Sequence, residues 1–342
     1  MGASFISIAD PSIYLSLAFL FGIAAQFRAM DGNSFLRRVL ASVELKTGVL
    51  FAVALVTFVV SPFLLNDVLV LILTPAVIKY AKQYGLDPIP LIVAEITFTN
   101  ISSSLTPIGN PQNILLWTAT GISFERFVQG TWMYVLASGA IAAVALLPLA
   151  LRYRGKPADE PTPSTFAPAY YLAFVTLVVI GADLVALPSY VSLGIAFVGG
   201  FALTGRKLTT LLMEFDFRAL LTLYVFVAAT TVAAYFLTPY ILGWVSPAAS
   251  GVQPYSGLFV GLASNFISNV PATQLLINTA GVSASVAPKI AAEAGIAGNL
   301  GPIASFANLL AIQMASKAGI RLRKLIALQI LVGVLAFVPV LF

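Results

Sequence analysis

The sequence predicts an all-α polytopic membrane protein arranged as an inverted repeat, each half holding a re-entrant hairpin and a discontinuous transmembrane helix. Three observations predict it. Only 9% of the 342 residues are charged and 59% are hydrophobic, whereas a soluble domain carries about 25% charged residues, so these charges cannot cover a water-facing surface. Apolar runs of membrane-spanning length recur along the chain. Polar breaks, several rich in Gly and Pro, interrupt the apolar chain in matched pairs.

Taken in order, the run 11–28 is one crossing helix. Segment 31–46 reads as an interfacial amphipathic stretch; the alternative makes 35–60 a ninth crossing. Region 47–82 is apolar with a break at Leu65-Asn66-Asp67 and reads as a hairpin that enters and leaves on one side. Region 88–120 is too long for one helix and contains Thr106-Pro107-Ile108-Gly109-Asn110-Pro111, so it reads as two half-helices joined by unwound chain. A crossing follows at 128–150, closing a first repeat over 1–151. The Pro-rich, charged stretch 152–165 is a cytoplasmic linker. The second repeat, 166–342, has crossings at 166–184, 188–205, 217–237 and 321–342, a hairpin at 255–280 broken at Ser268-Asn269-Val270-Pro271, and a broken helix at 285–318 around Gly298-Asn299-Leu300-Gly301-Pro302.

Charge placement supports eight crossings and two hairpins. That layout puts all of the 18 Lys and Arg residues on one side except Arg126 and Lys289. The positive-inside rule makes the crowded side cytoplasmic and places both termini outside an inner or plasma membrane. A ninth crossing would move Arg28, Arg37 and Arg38 outward, which the split disfavours.

The same composition excludes much chemistry. With no His and no Cys, His-based catalysis, thiol catalysis, disulfides and thiolate metal sites are absent. A serine-type intramembrane protease commonly needs a His base, and around Asp183 the stretch Gly181-Ala182-Asp183-Leu184 lacks the second glycine of an aspartyl type. The protein is therefore not expected to be an enzyme, and no metal site or cofactor is expected. Basic residues lie between apolar segments, a membrane-orientation pattern and not a nucleic-acid face. The first ten residues hold no Lys or Arg, so no signal-peptide n-region is expected, and MGASFI lacks the hydroxyl residue of a myristoylation motif.

The halves resemble each other at their breaks. Ser61-Pro62-Phe63-Leu64-Leu65-Asn66 resembles Ser264-Asn265-Phe266-Ile267-Ser268-Asn269, at a spacing of 203 residues. The stretch Leu105–Asn113 resembles Leu300–Asn308, at a spacing of 195. Five crossings lie between the hairpins, an odd number, so the second hairpin opens on the opposite face. Unpaired backbone cannot face lipid, so irregular chain at this depth must line a protein-buried or wet cavity. Such breaks offer helix ends and free backbone groups to a solute or ion.

At these residues the sequence resembles the ion transporter superfamily, which includes arsenite permeases, NhaD-type sodium/proton antiporters and divalent anion/sodium symporters. Asn66-Asp67-Val68-Leu69-Val70-Leu71-Ile72-Leu73-Thr74-Pro75 is similar to the hairpin of the arsenite permease branch. Pro107-Ile108-Gly109-Asn110-Pro111-Gln112-Asn113 is similar to the superfamily's Pro-Ile-Gly-x-Pro-x-Asn stretch. Ser268–Thr273 resembles the second hairpin and Gly301–Asn308 the second broken helix; Phe215-Asp216-Phe217 stands where the family tends to show Asp-Trp. The tips depart from the Ser-Asn-Thr pattern of the dicarboxylate branch, which weighs against sodium-coupled dicarboxylate transport. The resemblance implies an elevator-like or rocking movement, secondary coupling to H+ or Na+, and a homodimer in the lipid bilayer.

Among candidate residues Asp67 is the sharpest, because an ionisable side chain inside the membrane is costly and marks function. It is expected to bind the coupling proton or cation; the structural alternative is an N-cap. Asn66 and Asn269 are expected to bind through their amides, with Na+ near both as one option and self-capping as the alternative. Gly109, Asn110, Asn113, Ser305 and Asn308 are expected to line the site from the broken helices, with Thr106, Ser268 and Thr273 beside them. Hydroxyls such as Ser102, Ser103 and Ser104 more often bond their own helix. Glu95 is a second coupling candidate, and Glu293 has Lys289 four residues earlier on its helix face. Asp183 is expected to be solvated, and the sequon at Asn100 falls inside a span. No Lys or Arg stands at any break, which favours a weakly charged or neutral oxyacid such as arsenous acid. A Na+/H+ antiporter is the alternative, ahead of a channel.

Overall fold

The computed structural model describes residues 11–32, 34, 35, 38, 48–153, 165–205, 208–218, 220–222, 224, 225, 228, 229, 232, 236 and 256–341, and every regular element among them is helical. In chain order the helices are α1 (Pro11–Ala29), α2 (Val49–Val60), α3 (Asn66–Gln83), α4 (Pro88–Ser102), α5 (Pro111–Thr120), α6 (Phe124–Ala150) and α7 (Ala167–Leu184). Then come α8 (Ser189–Thr204), α9 (Leu208–Glu214), α10 (Ser256–Ile267), α11 (Asn269–Ala280), α12 (Ala287–Ala297), α13 (Phe306–Lys317) and α14 (Leu322–Phe337). The amphipathic stretch 31–46 and the linker 152–165 lie largely outside the described residues, and the run 217–237 and the ninth-crossing alternative 35–60 are described only in part.

Among the described residues three helical stretches are long and apolar enough to cross a bilayer by themselves: Phe124–Ala150, Ala167–Leu184 and Leu322–Leu341. They turn apolar side chains outward, including Val144 on α6 and Leu177 on α7, each 69% exposed, a surface suited to lipid rather than water. Local chemistry sets the ends. Asp87 caps α4 by accepting from Ile89 N at 3.0 Å, with Pro88 at the first helical position. Ser123 caps α6 by accepting from Arg126 N at 3.3 Å. Gly121 ends α5 and Gly205 ends α8 in the left-handed conformation.

The core is formed by the first halves of the two broken helices. Every residue of α4 from Ile89 to Ser102 is buried, and α12 is buried from Ile290 to Ala297. A helix buried all round is otherwise apolar, so Glu95, Thr97, Thr99 and Asn100 in α4 stand out.

Packing around the two core helices is equivalent with the halves exchanged. Helix α4 lies against α2, α3, α6 and α14, while α12 lies against α10, α11, α14 and α6. Helix α3 packs on α13 of the other half, and α11 packs on α5. One difference separates the hairpins: α2 and α3 both run along α4, whereas α10 and α11 pack on each other.

Candidate functional site

Both hairpin tips are tied to their own half's broken helix by the same bond. Asn66 N donates to Gly109 O at 3.0 Å, and Asn269 N donates to Ala304 O at 2.9 Å. Each tip Asn then turns its Oδ1 back on its own helix: Asn66 accepts from Asp67 N at 2.8 Å and Asn269 from Val270 N at 2.9 Å. The oxygens are self-capping, as the structural alternative expects. The Nδ2 groups are buried without partners.

The tips differ in backbone. Leu65 enters α3 at φ −43°, ψ 129°, whereas Ser268 enters α11 at φ 70°, ψ 157°. That second region is nearly exclusive to glycine and costs about 1–3 kcal/mol. Ser268→Gly is expected to raise the thermal midpoint by about 2 °C, corresponding to roughly 1 kcal/mol, in a fluorescence melt of the purified protein.

The unwound stretches use one device twice. Ending a helix in lipid leaves carbonyls without donors. Asn113 Nδ2 reaches back to Ser103 O at 2.9 Å and Thr106 O at 2.8 Å. Asn308 Nδ2, 195 residues on, bridges Gly298 O at 2.6 Å and Gly301 O at 2.9 Å. Asn110 and Ser305 precede the second half-helices in matching extended conformations. Asn110 accepts from Gln112 N at 3.4 Å; Ser305 makes no cap bond, and its Oγ is buried without a partner. The Thr106 hydroxyl donates to Pro62 O, joining the first break to the first hairpin. Thr273 Oγ1 is buried and unpartnered in α11. Ser102, Ser103 and Ser104 bond the carbonyls of Phe98 and Asn100, as expected of helix hydroxyls.

Asp67 is not an N-cap. Leu65 holds that position, and Asp67 lies in the first turn of α3, 2% exposed. Its carboxyl lies close to the backbone N–H of Ala307, in the first turn of α13. It therefore sits at the positive ends of two helices drawn from opposite halves, and its Oδ2 has no partner. Two turns further along α3, Thr74 Oγ1 donates to Glu95 Oε1 at 2.7 Å, while Glu95 Oε2 is unpartnered. A cavity of about 350 Å³ runs beside α3 between Leu71 and Lys79, also lined by Arg28 and Asp216. Pro75 lines it too and cannot donate to Leu71 O, which leaves that carbonyl free of its helical bond. Glu293 pairs with Lys289 at 3.8 Å. Asp183 is partly exposed, and its Oδ2 also accepts from Phe124 N at 2.7 Å and so helps to anchor the start of α6.

Asn100 and Asn299 are the residues that sequence reasoning missed. Asn100 Nδ2 donates to Asn299 Oδ1 at 3.0 Å and to Asn308 Oδ1 at 2.8 Å, linking the two broken helices. The available signal was an amide in the middle of an apolar span, which must find partners when buried.

The sequence pattern of the citrate transporter family (CitMHS) matches residues 2–306. The inner membrane protein YbiR of Escherichia coli K12 is 31% identical over 297 residues, covering 83% of this chain and 73% of that protein. Shorter stretches match the putative transporter arsB of Dictyostelium discoideum, 41% identical over 75 residues (22% of this chain, 13% of that protein). They also match the silicon efflux transporter LSI3 of Oryza sativa subsp. japonica, 38% identical over 95 residues (28% of this chain, 20% of that protein). With a family pattern over residues 2–306 and an inner membrane relative matching 83% of its length, this chain belongs to the citrate transporter family of membrane anion transporters and is not an enzyme.

Proposed function

We propose that the protein is a secondary active carrier that moves a small inorganic oxyanion or neutral oxyacid, arsenite-like, across the inner membrane in exchange for, or together with, H+ or Na+. The observation that carries this reading is Asp67, a carboxyl held at the meeting of two half-helix starts, one from each half. An ionised carboxyl in lipid is costly, and the two positive helix ends offset part of that cost. Binding a proton or Na+ neutralises the group, so the loaded site crosses low dielectric more readily than the empty one. Asn66, Asn110, Asn113, Ser268, Asn269, Thr273, Ser305 and Asn308 supply the amides and hydroxyls, with Thr106 and Gly109 shaping the first break. Na+, where it is the coupling ion, binds near Asn66 and Asn269. Glu95 stands toward the cytoplasmic end of α3 and hands protons on from Asp67, the cavity beside Pro75 giving ions access from that side.

The two repeats, 1–151 and 166–342, are read as inverted across the membrane with both termini outside and the chain paired as a homodimer. The exchanged packing of α4 and α12 supports two equivalent halves. The absence of Lys and Arg from all four breaks supports a weakly charged cargo. The names of the shorter matches, a putative arsB transporter and a silicon efflux transporter, support the same class.

The test is flux in proteoliposomes with arsenite, silicic acid or citrate under an imposed pH or Na+ gradient. Saturable, gradient-driven movement of arsenite or silicic acid is expected. Proton movement driven by Na+ and indifferent to every solute would replace this reading with Na+/H+ antiport. Coupled citrate uptake alone would replace it with carboxylate transport, and unsaturable flux with a channel.

A further inference from the structure

The amide cluster at the centre of the core is directional, and its direction follows from its partners. Asn308 Nδ2 lies between the carbonyls of Gly298 and Gly301, and Asn299 Nδ2 donates to Thr97 O at 3.3 Å. Both side chains must then turn their oxygens toward Asn100, which meets them with its nitrogen. Gly298 allows the approach: a Cβ there would lie 3.2 Å from Asn100 Cγ and 2.8 Å from Gly295 O.

The same spacing of 195 residues that pairs Asn113 with Asn308 pairs Asn100 with Gly295. A side chain at Gly295 would run into Ser104 Oγ, so the space is already taken from the first half. Asn113 Oδ1, the counterpart of the oxygen that Asn100 satisfies on Asn308, is accordingly buried with no donor. Asn100 thus braces the second break from the first half, whereas the bond that returns, from Asn299 Nδ2 to Thr97 O, ends on α4 and not on the first break.

We infer that Asn100 is a positioning residue that fixes the second break, 298–305, from the first half, while the first break, 106–110, has no matching brace and is the one that reshapes around a ligand. The inference concerns the mechanics of the site, and its outcome is independent of which solute or ion moves.

Hydrogen exchange followed by mass spectrometry on the full-length protein in nanodiscs tests it. The amides of Leu300, Ala304 and Asn308 are hydrogen-bonded to Ala297, Gly301 and Ser305 and report on the second break. In the wild type they are expected to exchange more slowly than the amides of the first break. Asn100→Ala is expected to speed their exchange about tenfold or more, for two lost hydrogen bonds, with the first break changed less than about twofold. Asn113→Ala is expected to loosen the first break and spare the second. Asn299→Ala keeps the bond from Asn100 to Asn308, so it stays informative if Asn100→Ala does not purify; about a threefold rise confined to the second break is expected. Equal loosening of both breaks, or no change at the second, in the Asn100 or Asn299 variant would overturn the assignment. Equal exchange at the two breaks in the wild type would remove the asymmetry.

Discussion

Asp67→Asn is expected to leave the protein folded and to lower gradient-driven solute flux by about two orders of magnitude, because it deletes the one carboxyl shared by two helix starts. The substitution keeps the shape of the side chain, so the packing of α3 on α13 survives. It removes the capacity to alternate between charged and neutral forms. Solute exchange without a gradient is expected to persist at a reduced rate, since the amides of the tips and breaks are untouched. The check is proteoliposome uptake with and without an imposed gradient, paired with a thermal melt shifted by less than about 2 °C. Undiminished gradient-driven uptake in this variant would take Asp67 out of the coupling role.

The largest structural loss is expected from Gly109→Ala. A Cβ at that position would press against the Ser103 carbonyl oxygen, 2.9 Å from Ser103 Cα and 3.0 Å from Ser103 C. These are backbone atoms of the 3₁₀ turn that ends the first half-helix, and they cannot rotate away. Moving them separates Ser103 O from Asn113 Nδ2 and carries Gly109 O away from Asn66 N, so clamp and hairpin tip loosen together. Overpacking of this kind costs about 1–3 kcal/mol before the lost bonds are added. A fall in thermal midpoint of about 5 °C or more is expected. The second half carries Ala304 in the matching place, so Ala304→Gly serves as the control, with a small effect. An unaltered melt for Gly109→Ala would mean that the 3₁₀ turn at Ser103 moves aside without cost to admit the methyl group.

What the sequence made legible was local. Thr106-Pro107-Ile108-Gly109-Asn110-Pro111 is a run of residues that cannot continue a helix, and the chain unwinds there, between Leu105 and Pro111. The same holds at Gly298-Asn299-Leu300-Gly301-Pro302 and at both tips. What stayed hidden was pairing at long range. The partners of Asn100 lie 199 and 208 residues away, and no periodicity within one helix announces them. For Asp67 a cap stood as the alternative to coupling because Asp favours the start of a helix; its neighbour Ala307 belongs to a helix from the far half of the chain. The partner of Asp183 was hidden in the same way, since the start of α6, 59 residues earlier, is folded back to meet it.

The crossed packing has a bearing on origins. Because α3 lies on α13 and α11 on α5, a polypeptide of half this length would leave two helix surfaces bare and its cradle open. Any such forerunner would have been whole only when two molecules came together, and joining the genes end to end would have freed each copy to diverge. The carboxyl of Asp67, aligned with Val270, and the amide of Asn100, aligned with Gly295, show how far the two halves differ.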